Sequence, residues 1–200
     1  MLPKTRETLA KLKAEAAFIS DYVIVGGSAL SMRLCHRHSE DLDFFTYRDK
    51  FDKADVFEFF RGKNHEIIND GRDQVDLVYN GIKLTFFNSA WDFLKPEKTA
   101  GFNVASLDQL AGMKVHTLFL RATYRDYYDL YVLSFKMSLQ DMYQNALMFI
   151  EGLNYKLFSM ALIYLDDIID DDITHLSPQY DVSREEISRH FISKLKETGF

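Results

Sequence analysis

Cysteine is almost absent from this chain: Cys35 is the only one among 200 residues. An intramolecular disulfide is therefore impossible, and a reducing compartment is the expected setting. Long apolar runs are missing as well. No stretch approaches the roughly 18 apolar residues of a membrane-crossing helix, and the N-terminal MLPKTRETLAKLK reads as a charged helix start, not as a secretory signal. The expectation is a cytoplasmic protein with no membrane partner. Excess positive charge is lacking too, since the formal net charge is −6, which argues against a broadly cationic nucleic-acid binder but leaves room for a local basic cleft. Internal repeats and low-complexity tracts are not found. What is present is a composition of 47% hydrophobic and 14% aromatic residues, enough to bury one sizeable core or two small ones.

The most informative stretch runs from residue 25 to residue 45, VGGSALSMRLCHRHSEDLDFF. Gly26 and Gly27 can adopt backbone angles closed to other residues. Ser28 is a good helix N-cap, and a helix starting there would turn free N–H groups toward an anion. Arg33, His36, Arg37 and His38 follow as a basic cluster. Asp41 and Asp43, two apart in an apolar strand, point to the same side because strand side chains alternate. Two adjacent carboxylates repel unless a cation separates them, and Mg²⁺ carrying a triphosphate suits them, because it prefers a few carboxylates plus phosphate oxygens. A capping turn followed by a solvated strand end is the plainer alternative. Leu42, Phe44 and Phe45 speak against it by making the strand a buried one.

The run GGSAL followed by HRHSEDLDFF, with twelve residues between Ser28 and Asp41, resembles the first motif of the AbiEii/AbiGii-type toxin nucleotidyltransferases, a branch of the DNA polymerase β-like superfamily. A second block matches in the same order: Ser106-Leu107-Asp108-Gln109-Leu110, then Lys114, Arg121 and Arg125-Asp126-Tyr127-Tyr128-Asp129-Leu130. The resemblance implies an α/β (α+β) nucleotidyltransferase fold with a mixed sheet flanked by helices, followed by a C-terminal helical lobe. It implies two Mg²⁺ ions and an NTP as substrate. The acceptor it suggests is the 3′ end of an RNA such as tRNA, and the role is that of a toxin in a toxin–antitoxin or phage-defence pair with a cognate antitoxin.

Strand and helix patterns alternate through the first hundred residues, and strand signals almost vanish after them, which predicts a core domain over 1–100 and a helical domain over 101–200. Helices are expected at 4–18, 28–37 and 52–61, and strands at 22–25, 41–46 and 64–69. Pro96 to Gly101 is the expected hinge. QVDLVY and IKLTFF, joined by Asn80-Gly81, form the clearest hairpin signal in the chain. Superfamily members carry a third carboxylate on a strand beside the Asp-x-Asp strand, and by resemblance the matching position here is Thr85. A two-residue turn would set Asp76 directly opposite Thr85, on the face away from Val75, Leu77, Leu84 and Phe86. Asp76 then reads either as the third carboxylate, supplied from the neighbouring strand, or as a surface aspartate.

In the helical half, Ser106 with Gln109 reads as a capping box. Lys114 and Arg121, seven residues apart, share a helix face and suit a clamp for the β- and γ-phosphates; a solvated helix face is the alternative. Asp126 and Asp129 share a face of the next helix and could orient those cations, contact substrate, or form a structural ion pair. Cys35, His36 and His38 have metal-ligand chemistry but lack a second pair for zinc. Asp166, Asp167, Asp170, Asp171 and Asp172 lack the glycine and glutamate of a calcium loop and read as a helix end. Met137, Met142, Met148 and Met160 suggest core packing first and a partner groove second. Ser183 with Glu186 opens a final amphipathic helix bearing Ile187, Phe191, Ile192 and Leu195.

The reading is a Mg²⁺-dependent nucleotidyltransferase with a nucleotide between its two lobes. Asp41, Asp43 and Asp76 are the candidate metal ligands. Gly26, Gly27, Ser28, Arg37, Lys114, Arg121 and Arg125 are the candidate nucleotide-binding residues, and Lys114 and Asp126 join the carboxylates as candidate catalytic groups. Two alternatives stand beside it: an NTP-binding protein weakened or inactivated by the missing acid at Thr85, and a protein-interaction module using the helical lobe.

Overall fold

The computed structural model describes residues 1–46, 51, 53–89, 91–168 and 172–197. The chain divides into two compact units, Met1–Ser106 and Leu107–Phe200.

The first unit is a seven-stranded mixed sheet with helices. Its elements are α1 (Pro3–Glu15), β1 (Tyr22–Val25), α2 (Gly26–Leu34), β2 (Leu42–Thr46), α3 (Ala54–Phe60), β3 (His65–Asp70), β4 (Gln74–Tyr79), β5 (Ile82–Asn88), β6 (Glu97–Thr99) and β7 (Phe102–Val104), in the sheet order β3-β4-β5-β2-β1-β7-β6. β2 runs parallel to β5 and antiparallel to β1, and β1 runs parallel to β7. The predicted hairpin forms with Tyr79 opposite Ile82 and Asp76 opposite Thr85. Asn80 and Gly81 both have positive φ, 53° and 68°, the turn whose twist matches the flanking strands.

One face of this sheet carries the apolar core. Phe44 stacks on Phe86 at 5.0 Å, Tyr22 meets Phe86 edge-on at 5.4 Å, and Phe60 of α3 reaches Tyr79 at 5.2 Å. Alternation puts Asp43, Thr85 and Asp76 on the opposite face. There Phe45 and Phe87 pack with Trp91 at 5.6 and 5.9 Å.

Several expectations need correction. α2 starts at Gly26, with Val25 as its N-cap, so Ser28 is a helical residue and not the cap. It ends at Leu34 because Cys35 turns into the left-handed region at φ 52°. The helix expected over 4–18 stops at Glu15 and gives way to a 3-10 turn over Ala17–Asp21. The helix expected from 52 begins at Ala54, and residue 52 lies outside the described residues. Pro96 to Gly101 is no hinge: it builds β6 and the turn into β7, and Arg33 of α2 ties the pair down through Glu97 at 2.9 Å and the carbonyls of Val104 and Ala105 at 3.2 and 2.6 Å.

The second unit is helical: α4 (Leu107–Leu120), α5 (Tyr124–Leu133), α6 (Leu139–Ala146), α7 (Tyr155–Ile163) and α8 (Arg184–Glu197). The predicted cap of α8 is present, the Ser183 N–H donating to Glu186 at 2.8 Å and the Glu186 N–H to the Ser183 hydroxyl at 3.2 Å. Ile187, Phe191 and Leu195 are buried below it, whereas Ile192 is on the surface. Of the four methionines expected in the core, Met142 is fully buried, Met148 in the turn after α6 is about half exposed, and Met160 is about half exposed because α7 buries only the Phe158 and Leu162 side. In the acidic run, Asp170 and Asp171 lie outside the described residues, and Asp172 caps a 3-10 turn through the N–H and hydroxyl of Thr174.

Candidate active site

The site in the first unit is assembled where β1 ends and β2 begins. Val25 pairs with Asp43, so the chain leaves β1 into Gly26 directly beside the Asp43 carboxylate. Gly26 has φ +67°, and a Cβ built on it would overlap Asp43 Oδ2. Only glycine leaves the room this carboxylate occupies. Gly27 is similarly close to a guanidinium, the Arg37 terminal nitrogen lying 3.0 Å from where a Cβ would stand. Arg37 is 3% exposed and donates to the His38 carbonyl at 2.8 Å, so a cation is fixed in the first turn of α2. His36 is buried in the same bend, and the loop from Arg33 to His38 folds inward instead of offering an open basic surface.

Ser28 serves this loop. Its side chain is fully buried, its hydroxyl is bonded to the Asp41 carbonyl, and it lies 3.0 Å from the Ser39 hydroxyl. The hydroxyl thus shapes the approach to the Asp-x-Asp strand, while Gly26 and Gly27 in the first turn of α2 are partly exposed. Asp41 and Asp43 are both partly exposed.

Across the sheet, Asp43, Thr85 and Asp76 stand in one lateral row over three adjacent strands, β2, β5 and β4. Asp76 is 6% exposed. Its carboxylate accepts from the Thr85 hydroxyl at 2.7 Å, the Gln74 amide at 2.8 Å and the Asn69 amide at 3.2 Å, with Lys83 Nζ at 3.8 Å. Burial pushes the Asp76 carboxyl up, but these donors and Lys83 together hold it below the usual carboxylate range. Asn69, Gln74 and Lys83 are residues that sequence reasoning passed over. Gln74 and Lys83 were within reach of it, each two positions before a residue already placed on this face.

In the second unit, Lys114 is buried and pairs with Asp126 Oδ1 at 2.9 Å and Asp129 Oδ2 at 2.6 Å. Asp126 is wholly buried. It also takes the Arg121 guanidinium at 3.2 Å and closes a capping box with Thr123, whose hydroxyl donates to it at 2.7 Å. Burial raises the Asp126 carboxyl, yet Lys114, Arg121 and Thr123 outweigh it and hold the group well below the carboxylate range. Lys114 and Arg121 do share a face, as their spacing predicts, and both turn to one carboxylate. Lys114 is enclosed, whereas the Arg121 side chain is 53% exposed and presents charge to solvent. Arg125 is partly exposed in the first turn of α5. Among the described residues, no three His, Cys, Asp or Glu side chains gather into a ready metal cluster.

Residues 74–151, from β4 through α6, match the family described as the nucleotidyl transferase AbiEii toxin of type IV toxin–antitoxin systems. Over that span the chain is similar to the AbiEii nucleotidyltransferase toxin family. The matched family is one of nucleotidyltransferases, which are enzymes with a nucleotide substrate. The matched span holds the Asp76–Thr85 pair and the whole Lys114, Arg121, Asp126 and Asp129 network. An uncharacterized protein of Aquifex aeolicus (strain VF5) is 27% identical over 199 residues, covering 96% of this chain and 94% of its own. In fold, the chain is similar to MenT4, a nucleotidyltransferase toxin from Mycobacterium tuberculosis H37Rv, with 16% identity, a TM-score of 0.64, and 97% and 84% of the two chains covered. JHP933 from Helicobacter pylori gives 17% identity and a TM-score of 0.55, with 100% and 96% covered. ANT(2″)-Ia, solved in complex with adenylyl-2″-tobramycin, gives 12% identity and a TM-score of 0.54, with 72% and 97% covered. No helix among the described residues is long and apolar enough to cross a membrane.

Proposed function

We propose that this enzyme transfers a nucleoside monophosphate from an NTP to a hydroxyl of an RNA acceptor, with Mg²⁺ held by Asp41 and Asp43, and acts as the toxin of a toxin–antitoxin pair. The observation that carries this reading is the junction of β1, α2 and β2. A glycine without room for a Cβ lies against one carboxylate of an Asp-x-Asp pair, at a helix N-terminus against which the guanidinium of a buried arginine is set. The donor set suits Mg²⁺: two partly exposed hard carboxylates, Asp41 at the entry to β2 and Asp43 within it. Bound there, the metal supplies neutralisation of phosphate charge and alignment of the attacking and leaving oxygens.

The remaining work falls to the chain's own groups. The N–H groups of Gly26 and Gly27, at the positive end of α2, bind the triphosphate, and Arg37 beside them adds a fixed charge. The acceptor hydroxyl gives its proton to solvent, its oxygen bonds to the α-phosphorus, the bond from that phosphorus to the bridging oxygen breaks, and pyrophosphate leaves. In the second unit we assign the half-exposed Arg121 and the partly exposed Arg125 as nucleotide-binding cations. Lys114 and Asp126 hold Arg121 in place. Asp76 adds negative charge to the row that starts at Asp43.

The test is incubation of the purified protein with each radiolabelled NTP, Mg²⁺ and total cellular RNA, beside the Asp41→Ala/Asp43→Ala double variant. Label passing to an RNA band with the parent, and not with the variant, identifies both base and acceptor. Nucleotide binding without transfer to any acceptor would replace this reading with that of an inactive NTP binder.

A further inference from the structure

We infer that the third position of the carboxylate set is filled by a two-residue relay: the Thr85 hydroxyl oxygen is the third ligand beside Asp41 and Asp43, and Asp76 acts through it from the next strand. The inference rests on the metal-site reading above and deepens it. Asp76 lies two strands from Asp43, with Thr85 between them in the same row. Strands are spaced 4.7–4.9 Å, so the two aspartates are about 9.5 Å apart at the backbone. Ligands on one Mg²⁺ are only about 3 Å apart, since each is roughly 2.1 Å from the ion. Asp76 therefore approaches an ion at Asp43 only past Thr85, whose hydroxyl its carboxylate already engages at 2.7 Å, while Thr85 stands directly beside Asp43. The absence of any three-member His, Cys, Asp or Glu cluster among the described residues follows from the same spacing.

The hydrogen bonds fix the direction of the relay. A threonine hydroxyl has one proton and two lone pairs. Thr85 gives its proton to Asp76 Oδ1 at 2.7 Å, which leaves its lone pairs for the Asp43 side. Asp76 cannot turn away to a ligand of its own, because Gln74 and Asn69 occupy Oδ2 at 2.8 and 3.2 Å. Both of those donors are neutral, so among the described residues the negative charge of Asp76 is offset by Lys83, 3.8 Å from Oδ1. A hydroxyl that donates to a carboxylate becomes a better oxygen donor, and Ser or Thr hydroxyls are established Mg²⁺ ligands in phosphate-binding loops. Thr85 is thus the ligand and Asp76 the positioning residue that orients and polarises it.

The test is Mn²⁺ binding to the full chain, followed through the paramagnetic resonance signal of free Mn²⁺, with circular dichroism to establish folding of each variant. Thr85→Val keeps a β-branched side chain on the strand and removes only the hydroxyl; Asp76→Asn keeps the shape and removes the charge. Each is expected to weaken Mn²⁺ binding by about 10-fold or more, the usual loss when a group supporting a metal ligand is removed. The double variant should be no weaker than the poorer single one, because the two side chains form one unit, and Thr85→Ser should bind like the parent. Mn²⁺ affinity unchanged in Thr85→Val but lost in Asp76→Asn would overturn the relay and make Asp76 a direct ligand. Affinity unchanged in both would reduce the pair to a structural hydrogen bond. Mn²⁺ binding indifferent to Asp43→Ala would sink the metal-site reading itself, so the two failures are distinguishable.

Discussion

Replacing Gly26 by alanine adds one methyl group, and the structure separates what that does to the fold from what it does to the site. At φ +67° an alanine is strained by about 1–2 kcal/mol. A domain stable by about 5–15 kcal/mol stays more than roughly 99% folded after such a loss. The new Cβ would also overlap Asp43 Oδ2. The contact is on the order of 1 Å inside van der Waals separation, so the carboxylate must rotate or withdraw. A displacement of that size at a reacting group costs about 100-fold in rate. Gly62 supplies the matched control, because its φ is +74° and nothing stands within 4 Å of its Cβ position. Urea unfolding should therefore show similar stability losses for Gly26→Ala and Gly62→Ala, while label transfer to RNA falls about 100-fold for the first and stays at the parent rate for the second. Equal activity in the two variants would refute the argument that Gly26 exists to seat Asp43.

Asp126→Ala should destabilise the protein by about 3–5 kcal/mol through Lys114, left with a single carboxylate partner, plus about 1 kcal/mol for the lost cap, and a fall in the urea midpoint measures it. Gly112→Ala places a Cβ 2.6 Å from both the Asn145 carbonyl and the Phe149 ring, so a loss of about 1–3 kcal/mol is expected from the same melts, with Mn²⁺ binding unchanged. Acid should weaken the fold in two stages. Burial lowers the pKa of His116 and His190, so protons favour the unfolded chain and stability declines as pH falls below about 6.5. Asp126 has a depressed folded pKa, so its contribution is complete above about 4 and is lost as pH falls further toward its folded value. Urea midpoints measured from pH 8 to pH 3 should show both stages, and His190→Gln should shrink the first one only.

Local chemistry alone determined a good share of this molecule. Asn80-Gly81 set a two-residue turn, and a period of two then placed Asp76 opposite Thr85 and away from the apolar face, all within one short hairpin. The same period predicts one side for Asp41 and Asp43, although the strand opens only at Leu42, and the seven-residue interval predicts a common direction for Lys114 and Arg121, which both reach Asp126. Capping patterns were legible for the same reason, because they join residues three apart. What the sequence could not supply is whatever depends on chain segments meeting from a distance. That β5 lies parallel to β2, and so sets Thr85 between Asp43 and Asp76, follows from the strand order of the whole sheet and from no local pattern. The fate of Ser28 was decided the same way: as a residue type it suits an N-cap, but the return of the chain at Asp41 and Ser39 buries its hydroxyl and makes it a brace. Spacing left open whether Asp126 and Asp129 orient Lys114, contact substrate or form a structural pair, and the packing of α5 decided it by bringing both carboxylates to Lys114. Periodicity decides which way a side chain points, and tertiary closure decides what it meets there.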